Sequence, residues 1–196
     1  MIREINPASV RTHSHQQELQ IGVSPEALPC ARARIRAILG AMVTTRGELF
    51  RHNRWANGQM LEACRDLTDE QRARSVDGTY GELGHTLIHL VSGESFYVEL
   101  LTGWEPPVRW EIPGPWPGID ILRERAAFTG DRLCALADEA DPDALVDRGD
   151  AQIPTSLVLV QAINHGNEHR AHAATILTQL GIEPPLVDGW TFGGFD

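Results

Sequence analysis

From Thr44 to Leu67 the apolar residues Leu49, Ala56, Met60, Ala63 and Leu67, joined by Phe50 and Leu61, recur every three or four positions, a spacing that predicts an amphipathic helix. A second helix is predicted from about Tyr80 to Leu101. There Leu83, Leu87, Leu90, Tyr97 and Leu101 form one stripe, and His85, His89, Phe96 and Leu100 form another. The segment Gly103 to Gly118 breaks the pattern. Its prolines (106, 107, 113, 115 and 117) and its tryptophans Trp104, Trp110 and Trp116 fit no regular element, so it reads as a long loop, either a lid over one end of the fold or a pocket wall. Helical spacing returns through Ile121, Leu122, Ala126, Thr129, Leu133, Leu136 and Ala140 and stops at Asp141 and Pro142. A last helix opens with Pro154 and closes at Gly181. With four long helices and no convincing strand, the predicted fold is all-α, a four-helix bundle.

Residues 1–41 follow no sustained period and hold five arginines against three acids, which marks them as an extension, either a flexible tail or a short docking helix at Ala31 to Leu39. The expected domain is therefore 42–196. The net charge of -10 has the wrong sign for coating phosphates, and no apolar run approaches a membrane span, so neither nucleic acid nor membrane is an expected partner. All 17 basic residues are arginine, which excludes Schiff-base chemistry and a Walker lysine. Cys30, Cys64 and Cys134 stand far apart and read as small apolar groups in a chain suited to a reducing cytoplasm.

Of the eight histidines, His13 and His15 lie in the extension and six fall on predicted helices. His165 and His169 are four apart, so their side chains leave adjacent turns of one face, and His172 points nearly the same way. That face also carries Leu159, Ala162, Ala173, Ile176 and Leu180, which aims the imidazoles into the core. Buried imidazoles need hydrogen-bond partners or a cation, and one cation satisfies several lone pairs together. His85 and His89 repeat the four-residue spacing, so a facing helix can supply the third nitrogen of an open three-ligand site; bonding to backbone carbonyls, Glu82 or Glu94 is the alternative.

The segment Leu49 to Leu61 (LFRHNRWANGQML), the Leu-Ile-His-Leu around His89, the pair His165 and His169 followed by Arg170, and the closing Leu-Gly-Ile-Glu-Pro-Pro with Asp188 after it together resemble the DinB family of metal-binding helical bundles, over Met42 to Asp196. The resemblance implies that His89, His165 and His169 bind a divalent ion, zinc or nickel, with positions left open. It also implies a homodimer. Two departures stand out: His52 occupies the place of a common tyrosine and His172 that of a common glutamine. His52 and His172 are accordingly candidates for an extra ligand or for a group that bonds to one, with His52 and His85 expected to be core groups or to bond to a ligand rather than to bind the ion.

A di-iron site needs two Glu-x-x-His motifs and only Glu82 with His85 fits; no His-Glu-x-x-His protease motif occurs. Glu94 and Glu168 are candidate catalytic groups for orienting an imidazole or moving a proton, with a structural role as the alternative. Three neutral ligands leave the ion's charge uncompensated, which favours ionising a bound thiol or water. Between the two, the resemblance to the DinB family implies the thiol, so the expected function is activation of a low-molecular-weight thiol, as in S-transfer to a small-molecule substrate. Metal-assisted hydrolysis is the alternative enzyme, and a metal-stapled bundle or a stress-related binding protein is the non-catalytic one. Arg170 is expected to form a salt bridge at the core edge, and Trp190, Phe192 and Phe195 to pack back on the helices.

Overall fold

A computed structural model of the chain describes residues 44–195. The expectations for the extension, including its docking helix, His13, His15 and Cys30, lie outside those residues. The described chain is mostly helical. Four long helices, α1 (Thr45–Ala63), α3 (Leu83–Thr102), α4 (Ile119–Glu139) and α5 (Thr155–Gln179), pack side by side, with short turns α2 (Asp69–Arg72) and α6 (Gly189–Gly193) beside them. Local chemistry sets their ends. The Thr44 side chain accepts the Gly47 N–H at 2.9 Å to start α1, and Thr68 with Gln71 forms a reciprocal capping box on α2. Gly103 closes α3 in the left-handed region, φ 70°, where a Cβ is disfavoured.

One expectation fails between α4 and α5. Leu145–Asp147 (β1) and Gln152–Pro154 (β2) pair antiparallel, with Val146 opposite Ile153. Three-residue strands are too short to show alternation, and the signal that existed was the turn: Gly149 sits at φ 92° and its N–H donates to Asp147 Oδ1 at 2.7 Å.

Two apolar clusters stand at opposite ends. Phe50, Tyr97, Val98, Leu133, Ala137, Val158, Leu159 and Ala162 form one; Met60, Leu61, Leu83, Leu87, Leu122, Ala126, Ala173 and Ile176 belong to the other. Reading residue numbers through the clusters gives the direction of each helix. α1 and α5 run from the first cluster to the second, α3 and α4 from the second to the first, so the consecutive helices α3 and α4 are parallel. Their connection must therefore cross the whole length of the fold. Gly103 to Gly118 does this: Trp104 packs on the first cluster, while Trp110, Ile112 and Trp116 pack on the second. The loop expected as an end lid is thus a strap laid along the helices, and extended proline-rich backbone, at about 3.1 Å per residue, has the reach for it.

Surface positions correct the periodic reading in places. Leu49, Phe96 and Ile121 are about half exposed. Of the terminal aromatics only Phe192 packs back, its ring 5.5 Å from His52 and 5.4 Å from Trp55. Trp190 and Phe195 remain 73% and 75% exposed and turn to each other instead. Cys64 is buried and Cys134 half-buried; burial raises their thiols to about 12 and about 11, so neither is a thiolate at neutral pH.

Candidate metal centre

Between the two apolar clusters lies a polar waist. On its α3–α5 side the rings of His89, His165 and His169 converge, with centroids 4.4 Å (His165 to His169), 4.6 Å (His89 to His169) and 5.0 Å (His89 to His165) apart. One nitrogen from each lies within 4.8 Å of the others, a grouping that can hold a metal ion. The helical register produces this: residues 165 and 169 stack on one face of α5, and antiparallel α3 brings residue 89 opposite them. No carboxylate belongs to the cluster.

The hydrogen-bond account of these rings is incomplete. Among the described residues neither nitrogen of His165 has a partner, nor has Nδ1 of His169 or of His172, and all four atoms are buried. Buried unpartnered nitrogens cost free energy, and a cation at the centre of the three rings would take one nitrogen from each, giving His165 a partner that no described protein group supplies, so the residues present fit a divalent metal. Electrostatics agree. Burial, reinforced by the neighbouring imidazoles His169 and His89 and by Arg170, pushes His165 down to about 3. Burial and His89 push His169 down to about 4, and burial lowers His89 as well. Unprotonated imidazole is the ligating form.

Three further residues shape the centre and were not singled out in the sequence. Gly93, one turn from His89, lets the His165 ring lie directly on α3: a Cβ there would fall 2.5 Å from Nε2. Tyr80 stacks on His89 at 4.2 Å with ring planes 14° apart and meets His169 edge-on at 4.8 Å. Tyr97 meets His165 edge-on at 5.6 Å. A glycine in the interior of a predicted helix was a readable sign of close approach; the tyrosines carried none.

Glu94 sits elsewhere in the waist. It is fully buried; Asn53 and Asn57 donate to its Oε1 at 2.8 and 2.7 Å, and Thr129 bonds Oε2 at 3.0 Å. None of these partners is an imidazole. The same two asparagines turn their carbonyl oxygens to Arg170 Nη1, and Asn167 accepts from Nη2. Arg170 is buried, and among the described residues it meets no carboxylate directly, so the expected salt bridge is instead a relay through two amides. Burial raises Glu94 to about 7 against the opposing pull of Thr129, Arg170 and the amides, and lowers Arg170 to about 10. Gly166 makes room for the relay, since a Cβ there would overlap Asn53 Oδ1 and stand 2.9 Å from Arg170 Nη1. Two asparagines four apart on the face of α1 that carries Phe50, Ala56 and Met60 were the sequence signal.

The other nominated residues spread out. His52 Nε2 lies 2.7 Å from the Val187 carbonyl oxygen and ties down the C-terminal segment. His85 faces Glu82 at 3.6 Å. His172 packs 5.6 Å from His169 without joining the three-residue cluster. Glu168 is exposed at the rim, where its charge favours protonation of both His89 and His169. None of the strap tryptophans meets a ring of the cluster; Tyr80 stacks on one and Tyr97 meets another edge-on.

A helical protein with a three-imidazole cluster at its waist is the class that the fold and the site define. The DinB family model matches residues 42–193, and the chain belongs to that family. The fold is similar to that of a DinB-like protein from Bacillus cereus, with a TM-score of 0.54 and 23% identity over 70% of this chain and 92% of that one. No curated protein matches the chain. Among the described residues no helix is long and apolar enough to cross a membrane.

Proposed function

We propose that this DinB-type four-helix bundle binds a divalent metal ion, zinc or nickel, through His89, His165 and His169, and is an enzyme that activates a low-molecular-weight thiol for S-transfer to an electrophile. The observation that carries the reading is the convergence of three imidazoles that burial holds below the usual histidine range, with both nitrogens of His165 and Nδ1 of His169 buried without a partner among the described residues and no carboxylate in the cluster. A cation held by neutral ligands keeps its full charge and so favours a thiolate over a thiol. The chain's own residues would hold that arrangement in place. Gly93 seats His165, Tyr80 covers His89 and His169 from solvent, and Glu168 stands at the rim as the acceptor for the thiol proton. Cys64 and Cys134, with their thiols held protonated, offer no competing internal nucleophile.

The test is elemental analysis of protein purified without a histidine tag, followed by turnover assays with glutathione, bacillithiol and mycothiol against electrophilic substrates, with and without chelator. One equivalent of metal and chelator-sensitive turnover with one of the thiols is expected. Metal without thiol-dependent turnover sinks the S-transfer reading, and protein that cannot take up metal sinks the centre itself.

A further inference from the structure

His89, Phe96 and Leu100 recur on one face of α3, and His165, Gln161 and Val158 on the facing side of α5, which runs the opposite way. The seam between the two helices runs from the imidazoles toward the hairpin, crossed by Tyr97, which bonds Gln161. There it opens into a cavity of about 290 Å³, walled by Phe96, Tyr97, Leu157 and Val158, with Gln161 on α5 and Arg148 from the hairpin turn. Gln161 lies one turn from His165, about 6 Å along the axis, and Leu100, which also lines the cavity, is about 16 Å along α3 from His89. Tyr97 belongs to both places, its ring against His165 and its side against the cavity.

The lining is apolar apart from Gln161, the Tyr97 hydroxyl that bonds it, and a single cation. Arg148 Nε is 3.3 Å from Asp150 Oδ1, but both side chains are more than half exposed, so the pair is weak and yields readily to a better-placed anion. A concave apolar site with one charged group suits an organic molecule whose charge fixes its orientation.

We infer that this groove is the substrate subsite of the centre and takes an elongated organic acid: its apolar body lies along Phe96, Tyr97 and Leu157, its carboxylate meets Arg148, and its reacting end reaches the imidazoles. Placement of the reacting end rests on the metal reading above; the binding of an apolar acid does not.

Two arms separate these claims. In the first, decanoate and decanol are titrated calorimetrically into the full-length, chelator-stripped protein. Decanoate is expected to bind saturably; Arg148→Ala should weaken it about tenfold, Arg148→Lys should restore part of the loss, and decanol should be indifferent to both changes. Leu157→Glu, at a position exposed enough to tolerate it, should weaken decanoate further by placing a like charge in the groove. Decanoate binding that is absent, or equal in all these proteins, overturns the subsite. In the second arm, cobalt-loaded protein is titrated with mercaptoundecanoate and mercaptopropionate. The sulfur-to-cobalt absorption band should saturate at lower concentration with the longer acid, and Arg148→Ala should remove that advantage. Equal affinity for the two thiols refutes the alignment of groove and centre. If the band never forms while decanoate still binds, the metal-thiol reading fails and the subsite stands.

Discussion

Gly93→Ala isolates the packing that seats one proposed ligand. A methyl on Gly93 would fall 2.5 Å from Nε2 and 2.9 Å from Nδ1 of His165, and nearer still to Cε1, whereas ordinary contact begins at 3.4 Å. The obstacle is the end of a rotatable side chain, not backbone, so the ring withdraws by about an ångström and the helices stay where they are. Overpacking costs about 1–3 kcal/mol, and alanine returns about 1 kcal/mol of helix propensity, so the metal-free protein should lose no more than about 2 kcal/mol. The metal has no such latitude. With one of three imidazoles displaced, its affinity should fall about 100-fold or more, equivalent to about 2.7 kcal/mol. Competition against a chelating dye gives the affinity, and urea unfolding in chelator gives the stability. The decisive control is the same substitution in a His165→Ala background. There the clash partner is gone, and Gly93→Ala should become stabilising by about 1 kcal/mol. A Gly93→Ala protein that binds metal within about threefold of wild type, or shows the same stability change in both backgrounds, would refute the argument.

Three further outcomes are expected. His165→Ala and His169→Ala should each abolish stoichiometric metal, while His13→Ala leaves it intact and His52→Ala keeps the metal but exposes the segment at Val187 to proteolysis; equal metal content in all four contradicts the ligand assignment. In metal-free protein, His165 near 3 and His169 near 4 in the folded state face an unfolded value of 6.5, so the unfolded chain binds more protons between these limits; the stability these groups contribute is full above pH 6.5 and is lost as pH falls toward 4 and then 3. Urea titrations should show that slope flattened in a His165→Phe, His169→Phe double variant, and an unchanged slope would contradict the lowered values. Asn57→Leu should cost about 3 kcal/mol, because it strips a charged hydrogen bond from Glu94 and another from Arg170 in one step; a thermal shift of a degree or less would show the relay to be dispensable.

Helices were legible in the sequence because a period of 3.6 is local: residues 44–67, 80–101, 121–140 and 154–181 each showed an apolar stripe before any partner was known. The same arithmetic put His165 and His169 on one face. The rest depended on neighbours that sequence spacing cannot specify. That α3 and α4 run parallel, so that Gly103 to Gly118 must be a strap and not an end lid, follows from which apolar cluster each end joins. Leu49 and Ile121 share the period of buried residues yet face water, since periodicity defines a face but not how much of it another helix covers. Whether His89 or His85 meets α5 was settled in the sequence only by family resemblance. In the structure it is settled by the rotation of α3, which turns His89 to α5 and leaves His85 beside Glu82. Arg170 was visible as a charge on a core face, but two of its three amide partners lie on α1, more than a hundred positions away. Chain-local chemistry, then, determined the elements and offered the imidazoles; only packing, which acts between residues remote in sequence, decided which of them meet, what seats them, and where the groove beside them leads.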